Sequence, residues 1–488
     1  MYAGLDIGTT SIKLIVVDED GKIIFKDAQG VKLYSPKSGW YEQNPNDWWD
    51  AAKKLLSNAA KEGIEIKAIG LTGQMHSLVL VDVNGNVVRP AILWNDQRCY
   101  DETIQLTQSL GGEERVIDEL GNPILTGFTA PKLLWVKNNE YENYKSSVLF
   151  MLPKDFIAWK LSGSIHTEPS DASATSLFDV KNNTWSQRAF EIFSDSSIKL
   201  PKILPSDAIV GQIPQSLANE LGLKNRPYIV AGGADNACAL LGMGGLKENQ
   251  MVLSLGTSGT VIVTTKEYKP DFTGRVHTFR HVINDMYYHM GVILSATYSL
   301  DWYLNLIGKG KDVESVVQEA EGTLPCENGV FFLPYLSGER TPHRNPDARG
   351  VLFGLSGNTA QKTITRAILE GVAFAMNDCK DALSDLDNVP QIARITGGGS
   401  KSQLWLKIIA SISNLTLQTM QKNEGAAFGA AMLGGIAFKE DVEKWNSVQE
   451  QINPVEEWIE PYKKGVRYYR TLYTTLKELM SQTREFER

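Results

Sequence analysis

The stretch GLDIGTTSIKLIVVD, residues 4–18, decides how this chain is read. It opens as a short apolar strand, breaks at Gly8-Thr9-Thr10, and resumes as a β-branched, strand-like run. A glycine next to hydroxyl residues makes a natural anion cradle, because consecutive backbone N–H groups can point at one phosphate. The Walker loop, in which Gly-Lys-Ser/Thr opens a helix, is absent, since Thr10 leads into another strand. The cradle is therefore a β-hairpin turn.

The same pattern returns in the second half. LSLGTSGTVIVTT, residues 253–265, again reads strand, Gly-Thr-Ser turn, strand. A chain that repeats such a hairpin is expected to fold as two related lobes facing each other. The small and polar residues of 242–249 mark the division, giving domains 1–245 and 246–488. A third glycine signal, ITGGGSKSQLW (395–405), has a strand before it and an amphipathic helix after it.

Between these signals the first 90 residues read as strands near 3–5, 12–18 and 23–32. A helix over 48–62 comes next, capped by Asn46 or Asp47. IKAIGLTG is then a buried strand, and VDVNGNVV a hairpin with an Asn-Gly turn. Beyond Asn446 the chain turns polar and ends in a helix over 466–487.

At 488 residues the chain is too long for one core, and its 42% apolar and 22% charged content is ordinary for a soluble protein. A net charge of −8 argues against nucleic-acid binding, which draws on Lys and Arg to neutralise phosphates. Cys99, Cys238, Cys326 and Cys379 are too scattered for a metal knuckle or disulfide framework, as in a reducing cytosol. No apolar run nears the roughly 20 residues that cross a bilayer, and the N-terminus lacks a signal-peptide pattern. The expectation is a cytoplasmic protein that binds neither nucleic acid nor membrane.

Two turns across a cleft would clamp a polyphosphate. Asp6 beside the first could hold Mg²⁺ through water, and Lys13 could place a positive charge on the transferred group. Gly397–Gly399 would admit a flat base or ribose against bare backbone. YIVAGGADNACA ends a buried strand at Asp235-Asn236, where an exposed acid could take a hydroxyl proton or simply cap the next helix. GLTGQMHS and AILWND end strands at Gln74-Met75-His76 and Trp94-Asn95-Asp96, a set suited to polyol recognition. Taken alone, a histidine such as His76 is more often a satisfied structural residue than a ligand. His277 and His281 in HTFRH lie in a hairpin pattern rather than on one helical face, and LGTSGT lacks the last glycine of a nucleophile elbow.

Together these motifs, with AILWNDQR, FTAPKLLW, FLPYLSGERTPH, GVLFGL and AILEGVAFA, resemble the FGGY carbohydrate kinases in order along the chain to about residue 440. The resemblance implies an α/β fold of two ribonuclease-H-like domains of the actin-like ATPase superfamily with an interlobe cleft. It implies ATP and Mg²⁺ as cofactors, a small sugar as acceptor, and a homodimer. GQMH and GFTAPKLLWV point to the branch acting on D-xylulose at C5; ribulose, deoxyxylulose or gluconate kinases and a regulatory actin-like ATPase are the rivals.

By position, Thr9, Thr10 and Lys13 correspond to the first phosphate element, with Asp6 as metal residue, and Gly256 and Thr257 to the second. Gly398, Gly399 and Ser402 correspond to the adenosine element, Asp235 to the catalytic base, and Met75, His76, Trp94 and Asn236 to the sugar site. Ala234, Thr363 and Ser402 depart from common family choices without removing a catalytic group.

Overall fold

Tyr2–Ile7 and Ser11–Val17 pair antiparallel with Asp6 opposite Lys13, so Gly8-Thr9-Thr10 is a hairpin turn. This computed structural model describes residues 1–307 and 312–483. Ile12, Leu14, Val16 and Val17 are fully buried, as a β-branched strand packed on both faces requires.

The repetition in sequence is a repetition in topology. The first sheet runs, in order, Ile23–Gly30, Ser11–Val17, Tyr2–Ile7, Ala68–Gly73, Tyr228–Ala234 and Ile209–Gln212. The second runs Tyr287–Ile293, Gly259–Thr265, Met251–Leu255, Ile392–Thr396, Thr416–Met420 and Val448–Ile452, with His277–Arg280 added outside the first of these. Each sheet is antiparallel through its hairpin, parallel across the next two pairings, and antiparallel at its last. Strands that run parallel finish at one edge. Ile7, Gly73 and Ala234 therefore end together in the first lobe, as do Leu255, Thr396 and Met420 in the second. Ligands of open α/β sheets sit at such edges.

The lobes meet through helices rather than through the sheets' own edges. Helix Ala426–Ala437 lies on strands Tyr2–Ile7 and Ala68–Gly73 of the first lobe and crosses helix Asp235–Gly242. The approach is so close that a Cβ on Gly4 would sit 1.8 Å from the Ala427 carbonyl oxygen, and one on Gly70 1.9 Å from that of Ala430. Only glycine on the sheet and small residues on the helix permit this contact.

Several local expectations are corrected. The first long helix is Pro45–Lys61, capped by Asn44, whose Oδ1 accepts from Asn46 N–H, not by Asn46 or Asp47. Proline at the first helical position needs no N–H donor there, which fixes the start one residue after Asn44. The polar region after Asn446 contains the edge strand Val448–Ile452, and the last helix starts at Glu456, tolerating Pro461 near its beginning. Residues 484–487 of the expected helix lie outside the described residues. HTFRH forms a strand of a hairpin, and VDVNGNVV turns at Gly85 with φ 82°. Among the described residues no helix is long and apolar enough to cross a membrane.

Candidate active site

The first turn is held from the side by a buried amide network. Gln43 donates to the Thr9 carbonyl at 2.8 Å and receives hydrogen bonds from Gln74 Nε2 and Trp48 Nε1, each at 3.1 Å. Gln74 N–H in turn donates to Ile7 O, tying the end of its strand to the turn. Trp94 Nε1–H donates to Thr9 Oγ1 at 3.0 Å. Lys13 and Thr10 are exposed on the same hairpin.

The second turn is anchored through its carbonyls. Gly256 O and Thr257 O accept from Thr297 and Ala296 N–H at 2.9 and 2.8 Å, while the Thr257 and Ser258 side chains stay exposed. Gly397, at φ 96°, packs its α-carbon against this turn. A Cβ there would lie 2.5 Å from Leu255 O, so glycine is what lets the third element touch the second. Beside them opens a cleft of about 730 Å³ lined by Gly398, Gly399, Ser402, Thr297, Leu300 and other residues. Ser402 Oγ accepts from Trp405 N–H at 3.2 Å as the cap of helix Gln403–Ser413, which leaves its hydroxyl proton for a ligand.

Asp235 is the first residue of helix Asp235–Gly242, reached from strand Tyr228–Ala234. Its Oδ1 accepts from the adjacent Asn236 N–H at 2.7 Å; it does not cap the helix by the usual reach to later amides. Burial, then the nearby negative charge of Asp6, raises its pKa to about 7 against the pull of the Asn236 N–H. Asp6 is itself raised to about 6 by burial, with Lys13 opposing. Two half-buried carboxylates thus share one mouth, each within reach of the other's field.

Opposite Asp235, Asn236 Nδ2 lies 3.5 Å from Met75 Sδ. His76 sits next in the chain at φ 70°, stacked on Phe128 at 4.5 Å between ring centres. Its Nδ1 is 2.8 Å from Ala174 O and must carry the proton, leaving Nε2 as an acceptor. Burial, reinforced by the charges of Lys132 and Arg340, lowers its pKa to about 3 although the bond to Ala174 opposes this, so the ring is neutral.

The structure therefore gathers Asp6, Thr9, Thr10, Lys13, Met75, His76, Trp94, Asp235 and Asn236 at one lobe's strand ends, and Gly256, Thr257, Gly398, Gly399 and Ser402 at the other's. Residues 1–242 match the N-terminal domain, and residues 251–438 the C-terminal domain, of the FGGY family of carbohydrate kinases. The chain belongs to that family. It is accordingly an ATP-dependent sugar kinase with the two-domain α/β fold of the actin-like ATPase type. It is 36% identical over 483 residues to the xylulose kinase of Staphylococcus xylosus, spanning 96% of this chain and 99% of that one. It is 35% identical over 495 residues to the xylulose kinase of Bacillus subtilis, spanning 99% of each. The crystal structure of xylulose kinase from Rhodospirillum rubrum superposes with a TM-score of 0.91 at 26% identity, covering 98% of this chain and 99% of that one.

Two residues of this kinase went unremarked in the sequence. Lys132, in FTAPKLLW, is fully buried and donates to the carbonyls of Gly127, Phe128 (3.1 Å) and His76 (3.2 Å). Its burial lowers its pKa to about 8. It fixes both the His76 backbone and the ring beneath it. Arg340, in SGERTPH, extends from a second-lobe loop pinned by Thr341 N–H to Val292 O at 3.1 Å and by Thr341 Oγ1–H to Arg275 O at 2.7 Å. Its charge reaches His76 and His277, yet among the described residues its guanidinium has no hydrogen bond or ion pair. A mid-motif lysine or arginine looks like an ordinary surface residue, and only the fold reveals where either points.

Proposed function

We propose that this kinase transfers the γ-phosphoryl group of ATP to the C5 hydroxyl of D-xylulose, with residues 1–245 as the sugar-binding domain and 246–488 as the nucleotide-binding domain. The observation that carries the reading is Asp235: a half-buried carboxylate at a strand end, its pKa raised to about 7, within reach of the Asp6 charge and followed by Asn236, whose Nδ2 meets Met75 Sδ.

In this reading Asp235 accepts the proton of the C5 hydroxyl as that oxygen forms its bond to the γ-phosphorus. The bond from that phosphorus to the bridging oxygen breaks, and ADP departs with the electron pair. The neutral His76 accepts a sugar hydroxyl at Nε2, Asn236 donates another hydrogen bond, and Arg340 approaches sugar oxygens from the second lobe. The hairpin turns at Thr9-Thr10 and Gly256-Thr257, with Lys13, bear on the phosphates. The cleft beside Gly398, Gly399 and Ser402 accepts the adenosine.

The Asp6 carboxylate makes no hydrogen bond among the described residues, and among them no group of three or more His, Cys, Asp or Glu could hold a metal alone. A single carboxylate beside a phosphate turn fits Mg²⁺, which retains much of its water and binds through one or two carboxylates plus substrate phosphates. Mg²⁺ there would supply neutralisation of charge on the phosphoryl oxygens.

The test is ADP release at fixed ATP and Mg²⁺ with D-xylulose, D-ribulose, L-ribulose, 1-deoxy-D-xylulose, gluconate, glycerol and no sugar. The strongest response is expected with D-xylulose over a low blank. A stronger response to another member reassigns the acceptor, and none to any sugar overturns the reading.

A further inference from the structure

Strand Tyr228–Ala234 is irregular just before Asp235. Val230 pairs with Gly70 and Gly233 with Thr72, so Ala231 and Gly232 together face the single residue Leu71. This is a β-bulge, with Gly232 at φ 87°, where a Cβ would lie 1.9 Å from Leu71 O. Bulges beside active sites re-aim the side chains just beyond them.

Along the bulge and just past it, N–H groups turn to partners outside Ala68–Gly73; Ala231 N–H donates to Ala208 O at 2.9 Å, and two more follow. Gly232 N–H donates to Ser206 O at 2.9 Å, and Ala234 N–H donates to Ser170 Oγ at 2.9 Å. Both serines return to one carboxylate. Ser206 Oγ donates to Glu168 Oε2 at 2.7 Å and Ser170 Oγ to Glu168 Oε1 at 2.8 Å. Glu168 also accepts the N–H groups of Ser170 and Asp171 and lies 3.7 Å from Lys154 Nζ, which itself pairs with Asp155 and Asp171. Glu168, Ser170, Asp171 and Lys154 are all fully buried.

Capping the four-residue helix Pro169–Ala172 accounts for the bonds from Ser170 and Asp171 N–H. It does not account for Ser206, which is 38 residues away, or for the bond from Ala234, the residue preceding Asp235. We propose that Glu168 is a positioning residue for Asp235, holding through Ser170 and Ser206 the bulge that aims the Asp235 carboxylate into the cleft. The inference rests on the reading of Asp235 as the base.

A displacement near 1 Å at a reacting group costs on the order of 10²-fold in rate. Ser170→Ala removes one tether while every charged side chain of the buried cluster stays in place, and Ser206→Ala unlinks Glu168 from the residue whose carbonyl holds Gly232. Each is expected to lower kcat with D-xylulose by about 10-fold or more, with KM for ATP unchanged. The deciding measurement is the same substitution in an Asp235→Asn background, read by single-turnover formation of the sugar phosphate. Groups acting as a unit are non-additive, so Ser170→Ala should cost nothing further there. An equal fold-loss in both backgrounds, or no loss from either serine in the wild type, overturns the proposal. Glu168→Gln is expected to match Ser170→Ala combined with Ser206→Ala where it folds, and the single serine variants carry the test where it does not. Near-normal turnover by Asp235→Asn would remove the base assignment and this inference together. An impaired Asp235→Asn beside fully active serine variants would remove the inference alone.

Discussion

Trp94 and Thr9 are joined by a 3.0 Å hydrogen bond from the indole N–H to the threonine hydroxyl. One residue belongs to the strand end proposed to lie beneath the sugar and the other to the turn proposed to bear on the phosphates, so in that reading the two halves of the reaction are in direct contact. A sugar that settles against Trp94 bears on the group that orients Thr9.

Trp94→Phe keeps most of the apolar surface and deletes the N–H. A hydrogen bond of this kind is worth roughly 0.5–1.5 kcal/mol. The expected outcome is a fall of about 2–10-fold in kcat/KM for the sugar and a rise in ATP hydrolysis without sugar, both read by coupled ADP assay. An unchanged blank would show that the contact does not order the turn.

Asp235 and Asp6 make a sharp pH prediction. Loss of a negative neighbour makes ionisation easier, so the Asp235 pKa of about 7 should fall when Asp6 is neutralised. The kcat/KM profile of the wild type should rise through an inflection near that value on its acid side. In Asp6→Asn that inflection should move to lower pH, with the rate also reduced. No further inflection between about pH 5 and 8, where an ordinary histidine titrates, should come from His76. Its pKa of about 3 keeps it neutral throughout.

The same raised pKa has a cost in stability. A carboxyl whose folded pKa exceeds its unfolded one stabilises most below the unfolded value and loses that contribution as pH rises through the folded value. Here the window runs from the ordinary carboxyl value of 3.8 to about 7. Asp235→Asn, while losing about 10²–10⁴-fold in kcat, should therefore be more stable than the wild type near pH 8, by up to about 4 kcal/mol, and nearly indistinguishable near pH 4. Denaturant melts at the two pH values decide it.

The Arg340 guanidinium, with no hydrogen bond or ion pair among the described residues, has a charge that reaches His76 of the proposed sugar site. Hydrogen bonds to charged groups contribute about 1.5–3 kcal/mol. Arg340→Gln should raise KM for the ketose by about 10–100-fold while KM for ATP and the melting temperature stay near wild type. A change confined to KM for ATP would move the guanidinium to the phosphates.

Much of this site was legible because its signals are local. A glycine-hydroxyl turn between β-branched runs can be read from a short stretch, and the echo at Leu253–Thr265 foretold the duplicated sheet order. Asp235, Asn236 and His76 announced themselves as polar residues at the ends of buried strands. The features that escaped reading depend on distant partners. Lys132 takes its role from three carbonyls, and Glu168 from a serine 38 residues on. Val448–Ile452 is an edge strand with only Ile452 buried, so it shows no alternation to detect. Pro461 and Gly465 read as breakers, and they hid the true start of the last helix at Glu456.

The seam of Gly4 and Gly70 against Ala427 and Ala430 bears on how such a machine closes. Interdigitated side chains would lock one lobe against the other like meshed gears. At the seam itself peptide planes rest on peptide planes and set a spacing, and the interlocking is left to the flank, where Tyr2 and Trp445 lie 5.7 Å apart between ring centres. A single methyl group added at Gly4 or Gly70 would act as a shim, prising helix Ala426–Ala437 off the first sheet although it lies at none of the residues proposed to touch ATP or sugar.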